Sequence, residues 1–305
     1  MVLAIDIGNT TIAFTGLEEI VRDCGDQSPC ADFEIVFSEK IPTQTGKDMD
    51  LFLREAGRLL SRHGIDAAAG KEPLPLKSRE DFPEKARTRK TRVTAVAVSS
   101  VVPQCTPAAE TLAGIICGRE PVVISWRCDT GLSFEKIPFP DKVGADRIAD
   151  AAWAASRYPL PAMTVDMGTA TTINIVSADR RFLGGMIGAG VRTALHSLRT
   201  GTAQLPELMP DSVPPEKLIG TDTSGCMLSA AVVGTASMID GLAAHVEEQI
   251  GSPLTLILTG GNAPAVSEWI RHSFVYEPGL AAKGSALIAL RDQKRDQRPD
   301  AGPSA

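Results

Sequence analysis

The sequence has little of what nucleic-acid binding, secretion or membrane insertion requires. Its 31 lysines and arginines are outnumbered by 37 aspartates and glutamates, and no basic stripe interrupts this balance. Such a chain repels a nucleic-acid backbone rather than attracting it. No run of about 18 apolar residues occurs, and the apolar N-terminus contains Asp6 without a basic flank. We therefore expect a cytoplasmic protein that partners neither nucleic acid nor membrane.

Metal-binding and familiar nucleotide-binding patterns are also missing. The six cysteines include no C-x-x-C pair, and the four histidines include no pair spaced for one helical face. Neither the G-x-x-x-x-G-K-[ST] loop nor the G-x-G-x-x-G fingerprint occurs. These absences predict reduced thiols, no histidine-built metal site, and no nucleotide site of either common glycine-rich kind.

What remains is the composition of an ordinary globular protein of two domains. The chain has 305 residues, of which 43% are hydrophobic and 22% charged, and single cores usually stop growing near this length. Apolar strand patterns alternate with helix patterns, such as one over 145–155, and this alternation predicts an α/β architecture. The prolines of Tyr158-Pro159-Leu160-Pro161 interrupt the chain near its middle. We place the domain boundary there, giving domains 1–160 and 161–305.

Two segments are expected to lack regular structure. Residues 67–92 combine glycine, three prolines and many charges, which favours a surface loop. Residues 291–305 are charged and contain proline, which predicts a frayed end.

A short motif occurs once in each half of the chain. Asp6-Ile7-Gly8-Asn9-Thr10-Thr11 and Asp166-Met167-Gly168-Thr169-Ala170-Thr171 share aspartate, glycine and threonine at the same offsets. Each copy follows one apolar strand pattern and precedes another, which predicts a β-hairpin with a polar tip. A single D-x-G is more often just a tight turn, but two strand-anchored copies, with Gly260-Gly261 after a third strand, favour a functional pair.

The chemistry of these tips suits a nucleotide triphosphate. Glycine lets backbone N–H groups approach phosphate oxygens, and the hydroxyls can donate hydrogen bonds. A carboxylate can hold a cation directly or through water. The pair of tips therefore predicts a nucleotide site between two related domains.

These motifs, with others in the same order, resemble those of type III pantothenate kinases. The matching segments are Asp6-Ile7-Gly8-Asn9-Thr10, Ser99-Ser100-Val101-Val102-Pro103, Gly144-Ala145-Asp146-Arg147, Asp166-Met167-Gly168-Thr169-Ala170-Thr171-Thr172, Thr202-Ala203-Gln204-Leu205-Pro206 and Thr259-Gly260-Gly261. The resemblance spans nearly the whole chain. Its most specific part is the combination of the Gly-Ala-Asp-Arg segment with the second D-x-G motif.

The resemblance implies a fold, an activity and an assembly. It implies two ribonuclease H-like domains of the actin-like ATPase fold, with an interdomain nucleotide cleft. The implied reaction is the ATP-dependent phosphorylation of pantothenate to 4'-phosphopantothenate, the first step of coenzyme A biosynthesis. A divalent cation, normally Mg²⁺ with the ATP, and a monovalent cation, K⁺ or NH₄⁺, are implied too, as is a homodimer whose interface completes the pantothenate pocket.

The resemblance also assigns roles to individual positions. Asp146 becomes the proton acceptor, and Asp166 the ligand of the monovalent cation. The ATP-binding residues implied are Asp6, Ile7, Gly8, Asn9, Thr10, Thr11, Ile12, Ala13 and Thr169. The pantothenate-binding residues implied are Gly144, Ala145, Asp146, Arg147 and Thr223.

Two departures from the family pattern leave other functions open. Family members commonly have a tyrosine a few residues before Gly-Ala-Asp-Arg, where this chain has Lys136, Ile137 and Phe139. Thr221 and Asp222 stand where members often have lysine and asparagine. One alternative is a catalytically impaired member that binds nucleotide or pantothenate and acts as a regulatory protein. The other is a sugar or acetate kinase of the same superfamily, which Gly-Ala-Asp-Arg disfavours.

Overall fold

The computed structural model describes residues 1–22, 30–66, 91–209 and 217–296. The chain divides into two compact units. The first comprises Met1–Thr130, Asp141–Ala152 and the stretch that begins at Ala281; the second comprises Gly131–Pro140 and Trp153–Leu280. The division at residue 160 stays a prediction, and the surface loop predicted over 67–92 lies outside the described residues except at its last two positions.

The first unit contains a mixed five-stranded sheet. Its strands are β1 (Val2–Ile7), β2 (Thr11–Arg22), β3 (Cys30–Pro42), β4 (Ala95–Ser100) and β5 (Val122–Val123). They lie in the order β3-β2-β1-β4-β5. β2 runs antiparallel to both β1 and β3, whereas β4 runs parallel to both β1 and β5.

The second unit repeats this arrangement. Its strands are β6 (Ala162–Met167), β7 (Ala170–Val176), β8 (Phe182–Ala189), β9 (Thr255–Thr259) and β10 (Phe274–Tyr276). The order is β8-β7-β6-β9-β10, with β7 antiparallel to both β6 and β8 and with β9 parallel to β6 and to β10. Numbered from the first strand of each sheet, both orders are 3-2-1-4-5. The predicted α/β fold with two ribonuclease H-like halves is therefore confirmed.

Helices follow the strands in both units. Within the described ranges the α-helices are α1 (Met49–Arg62), α2 (Thr106–Cys117), α3 (Ala145–Arg157), α4 (Val191–Gly201), α5 (Thr223–Ile250), α6 (Ala263–Ser267) and α7 (Leu280–Asp296). The ends of α1 follow from its sequence. The Asp48 side chain accepts a hydrogen bond from the Leu51 N–H at 3.0 Å, and Gly64 follows the helix with a φ of 73°.

Each sheet builds its own hydrophobic core. In the first unit, Leu3, Ile5 and Phe14 from the sheet and Phe52 from α1 are fully or almost fully buried in one cluster. In the second unit, strands β6 and β9 contribute buried side chains to a cluster shared with α4 and α5. The strands that end in the D-x-G motifs, β1 and β6, are therefore the middle strands of their sheets and are anchored by buried side chains.

α5 has an unusual length and composition for a globular protein. It spans 28 residues and is long and apolar enough, on those two criteria alone, to cross a membrane. The sequence pattern did not lead us to expect this property in any segment. Core helices of soluble proteins meet the same criteria, and α5 places Val232, Ala236 and Ile239 in the core of the second unit.

The end of the chain packs on the helix that carries Gly-Ala-Asp-Arg. A Cβ atom added to Gly284 of α7 would lie 2.5 Å from the carbonyl carbon of Ala149 in α3, so the two backbones touch here. α7 continues to Asp296. The prediction that the frayed end begins at residue 291 is therefore wrong for 291–296, because these residues continue a helix whose preceding turns are buried.

Candidate active site

The first D-x-G motif forms the predicted hairpin tip. β1 and β2 pair as far as Ile7 and Ile12, and the Gly8 N–H closes the turn on the Thr11 carbonyl at 3.0 Å. The side chains of Ile7 and Ile12 are fully buried, so within the predicted ATP loop they anchor the hairpin in the core. The exposed positions are the polar ones, Asn9, Thr10 and Thr11.

Thr43, which was not predicted from the sequence, holds this tip from the side. Its hydroxyl donates to the Gly8 carbonyl at 2.7 Å, and its N–H donates to the Thr10 carbonyl at 3.0 Å. Thr43 directly follows β3, a strand that the sequence pattern did not predict. No local signal around it marks this role.

Asp6, the one acidic residue of β1, has an environment that disfavours its charge. Desolvation raises the pKa of Asp6 to about 6, with a further upward contribution from the negative charge of Asp146. The Ser99 hydroxyl of the neighbouring strand β4 and the positive charge of Lys40 act in the opposite direction. Such a perturbed carboxylate is typical of a functional site.

Asp146 lies in the first turn of α3, within the Gly-Ala-Asp-Arg segment. Its Oδ1 accepts a hydrogen bond from the Arg147 N–H at 2.8 Å. A Cβ atom on Gly144 would collide with the same Oδ1, so the carboxylate in this orientation occupies space that a side chain at position 144 would enter. Ala145, between these two residues, is buried.

Arg147 carries the positive charge of this segment. Burial lowers its pKa, whereas the charges of Asp146 and of Asp150, one turn later in α3, act to raise it. Asp150 is completely buried. The segment therefore combines one guanidinium with two carboxylates whose charges act on it. Arg147 remains charged at neutral pH because guanidinium pKa values are so high.

The second D-x-G motif forms the equivalent tip in the second unit. β6 and β7 pair as far as Met167 and Thr171, and the Gly168 N–H donates to the Ala170 carbonyl at 3.0 Å. Thr169 is exposed at the tip. Asp166 is the last residue of β6 to pair with β9, through Thr259.

The turn after β9 packs directly against this tip. Gly260 has a φ of 94°, and a Cβ there would lie 2.5 Å from the Met167 nitrogen and against the Asp166 carboxylate. The Asn262 side-chain amide donates to the carbonyls of Met167 at 3.1 Å and Gly168 at 3.0 Å. Its Oδ1 is buried and finds no hydrogen-bond partner among the described residues. Asn262 was not predicted from the sequence, although its place just after Thr-Gly-Gly is a usable signal.

Thr223 is the first residue of α5 and is exposed. The preceding Asp222 caps the helix, with its Oδ1 accepting from the Gly225 N–H at 2.7 Å. The departure from the family pattern at Asp222 therefore has a structural role. Just before it, Leu218 and Ile219 expose 59% and 77% of their surface, an unusual pair of apolar side chains beside a predicted substrate residue.

The structure brings some of the predicted residues together. In the first unit, Asp6 and Asp146 are close enough for their charges to interact. In the second unit, Asp166 and the turn carrying Thr169 adjoin Gly260 and Asn262. Among the described residues, no group of three or more histidines, cysteines, aspartates and glutamates could hold a metal ion.

Comparison with known proteins agrees with this arrangement. The sequence model of the type III pantothenate kinase family matches residues 2–245. The chain belongs to the type III pantothenate kinase family. Its match begins in β1 and includes both D-x-G hairpins and the Gly-Ala-Asp-Arg segment.

Individual relatives bear the same description. A type III pantothenate kinase of Hyphomonas neptunium is 33% identical over 86% of this chain and 88% of its own length. A type III pantothenate kinase of Rhizorhabdus wittichii is 28% identical over 94% of this chain and 97% of its own length. Another, of Phenylobacterium zucineum, is 34% identical over 65% of this chain and 76% of its own length.

Among solved structures, one neighbour supports the fold. A conserved Baf family protein of Campylobacter jejuni, described as a transcriptional activator, aligns over 96% of this chain and 99% of its own with a TM-score of 0.51. At 16% identity this likeness concerns the fold alone.

Proposed function

We propose that this protein transfers the γ-phosphate of ATP to the primary hydroxyl of pantothenate, giving 4'-phosphopantothenate and ADP in the cytoplasm. The observation that carries the proposal is the convergence of Asp6 and Asp146. Asp6 belongs to the first D-x-G hairpin, to which we assign the phosphates of ATP. Asp146 belongs to the Gly-Ala-Asp-Arg segment, and the charges of the two carboxylates interact. Phosphoryl transfer uses one group that organises the metal-bound triphosphate and another that accepts the proton of the acceptor hydroxyl. The reaction would be the first step of coenzyme A biosynthesis.

In the proposed reaction, Asp146 accepts the proton of the pantothenate hydroxyl. The hydroxyl oxygen forms a bond to the γ-phosphorus while the bond from that phosphorus to the bridging oxygen of ADP breaks. Oδ1 of Asp146 is already held by the Arg147 N–H at 2.8 Å, which leaves Oδ2 to receive the proton. Arg147 would hold the pantothenate carboxylate, for which its planar, charged fork is suited.

The nucleotide is assigned to the two hairpin tips. Residues 6–13 would receive the phosphates through the exposed backbone and hydroxyls of the first tip, and Thr169 would contact ATP from the second. Mg²⁺ would arrive as part of the ATP complex. We assign Asp6 to the organisation of that complex, because positive charge nearby would favour the ionised form of a carboxylate whose pKa is raised to about 6.

A monovalent cation is assigned to Asp166. The oxygen-rich turn next to it fits such an ion, since the buried Oδ1 of Asn262 has no hydrogen-bond partner in the described part of the chain and oxygen atoms are the ligands that hard cations prefer. The cation would supply positive charge beside the triphosphate. We expect K⁺ or NH₄⁺ to raise the rate over that in Na⁺ alone, and Asp166→Asn to remove the difference. An unchanged rate after exhaustive K⁺ removal would contradict the assignment.

A homodimer is the proposed assembly. The exposed Leu218 and Ile219 support it, because they adjoin Thr223, which we assign to pantothenate. A second copy that completed the pantothenate pocket would cover these side chains.

The proposed reaction can be tested by ADP release. The purified protein, with ATP, Mg²⁺ and K⁺, should release ADP only when pantothenate is added, and mass spectrometry should identify 4'-phosphopantothenate. Release of ADP with glucose or acetate instead would indicate another kinase. Binding of ATP and pantothenate without turnover would indicate the impaired, regulatory alternative, which none of the named relatives favours.

A further inference from the structure

The tip of the second hairpin is tied to the start of α4 through one carbonyl group. The Thr169 carbonyl accepts the Thr193 hydroxyl at 2.6 Å and the Gly190 N–H at 3.0 Å. Gly190 is the single residue between β8 and α4, and Thr193 lies in the first turn of α4. Thr193 was not singled out by the sequence motifs.

Gly190 makes this approach possible. A Cβ atom there would lie 2.6 Å from the Thr169 carbonyl oxygen and closer still to that of Gly168, so a side chain would push the hairpin away. At Gly188, two residues earlier, an added Cβ would meet no atom of the described residues within 4 Å. The requirement for glycine is therefore specific to the position that touches the tip.

The first hairpin is held in the same manner by Thr43. The Thr43 hydroxyl donates to the Gly8 carbonyl at 2.7 Å, as the Thr193 hydroxyl does to that of Thr169. Thr43 directly follows the third strand of the first sheet, β3, and Thr193 follows the third strand of the second, β8. Each half of the duplicated fold thus places a threonine hydroxyl on a carbonyl of its hairpin tip, and the two carbonyls are one position apart in the motif, since Gly8 corresponds to Gly168, the residue before Thr169.

From this repeated contact we propose that Thr193 is a positioning residue for nucleotide binding, acting through Thr169, with Thr43 as its counterpart at Gly8. The inference rests on the proposed function, which assigns Thr169 to ATP. Because a peptide group is planar, fixing the Thr169 carbonyl fixes the peptide plane next to the Thr169 side chain. The backbone from which the Thr169 side chain projects then needs no rearrangement on nucleotide binding, and preorganisation of this kind increases affinity.

The test compares three single substitutions in the full chain. Thr193→Val keeps the shape of the side chain but removes the donor, and Thr193→Ser keeps the donor. Thr200→Val is the matched control, because the Thr200 hydroxyl lies on the same helix and donates to the helix carbonyls of His196 and Ser197 instead of to a hairpin tip. KM for ATP, KM for pantothenate, turnover, calorimetric Kd for ATP and the thermal midpoint are measured for each.

We expect Thr193→Val to raise both KM and Kd for ATP about three- to tenfold, as for one lost hydrogen bond. KM for pantothenate should change by less than about twofold, Thr193→Ser should restore ATP affinity, and Thr200→Val should match the wild type. If Thr193→Val lowers only the thermal midpoint, or changes both KM values equally, the positioning role is refuted.

Failure of the proposed function would look different. A wild type that binds ATP but leaves pantothenate unphosphorylated refutes the pantothenate kinase assignment, while the ATP affinities of the variants still decide the role of Thr193. A wild type that binds no ATP overturns both.

Discussion

Asp146 is the residue on which the proposed chemistry depends most directly. A positioned general base contributes about 10² to 10⁴ in rate. Its carboxylate is oriented by the Arg147 N–H and lies within electrostatic reach of Asp6.

Asp146→Asn should therefore lower turnover at least about a hundredfold, because the amide keeps the shape but cannot accept a proton. ATP affinity, measured by calorimetry, should stay near that of the wild type. Asp50→Asn is the matched control, since Asp50 is also an acid in the first turn of a helix, α1. Near-normal turnover would show that another residue is the general base. Loss of ATP binding would show that Asp146 contributes to the nucleotide site.

The ionised carboxylate of Asp6, which the proposed function requires, lowers the stability of the folded protein because it is desolvated. Its pKa is about 6 in the folded protein, whereas the ordinary value for an aspartate is 3.8, so the folded state binds more protons than the unfolded state between these values. The free energy of unfolding must then fall as pH rises from about 4 to 6, and the loss persists at higher pH.

Asp6→Asn should remove this cost, because the amide carries no charge at any of these pH values. We expect it to raise the free energy of unfolding at about pH 7.5 by about 1 to 3 kcal/mol and to have little effect at about pH 4. Urea denaturation at both pH values measures the difference. Equal effects at the two pH values would show that charge is not responsible. Activity should be lost in the same variant.

At the scale of elements, the turn before α3 sets the direction of Asp146. Gly144 leaves room for the Asp146 carboxylate, with which a Cβ would collide. A side chain at position 144 would therefore force the Asp146 carboxylate to turn away from its present orientation.

Gly144→Ala should consequently lower turnover by at least about tenfold while ATP affinity stays unchanged, because displacing a catalytic group by an ångström has effects of this order. Gly114→Ala in α2 provides the control, as an added Cβ there meets no atom of the described residues within 4 Å. The pair is compared by steady-state kinetics and by thermal midpoint. Full activity in Gly144→Ala would mean that Asp146 tolerates another orientation.

The elements differ in how far the sequence could predict them. Helices α1 and α3 and the strands ending in D-x-G were predictable, because their apolar periodicity and turn residues agree. β8 was not, since Leu183, Gly184 and Gly185 give it poor strand propensity, and only its pairing with β7 makes it a strand. Thr43 and Thr193 were missed with the elements around them. The meeting of Asp6 with Asp146 depends on long-range packing that no local pattern encodes.

At the scale of the molecule, the proposed dimer is tested by measuring the mass of the protein in solution and by one substitution at its surface. The wild type should sediment as twice its chain mass of 32.2 kDa. Ile219→Glu should favour the monomer and raise KM for pantothenate, because it replaces an apolar side chain that is 77% exposed in the single chain with a charged one at the proposed interface. Val36→Glu, at a 50% exposed position of β3, should leave the mass unchanged. A monomeric wild type with full activity would refute the dimer.

The contact of Gly284 with Ala149 has a consequence for how the protein is made. The first unit is assembled from stretches at the start, middle and end of the chain, whereas the second is nearly continuous. During synthesis, α3 emerges from the ribosome long before α7, the helix that packs against its backbone. We therefore expect the segment bearing Asp146 to gain its full support only after α7 has been synthesised, and so later than the strands and helices that precede α7 in the chain.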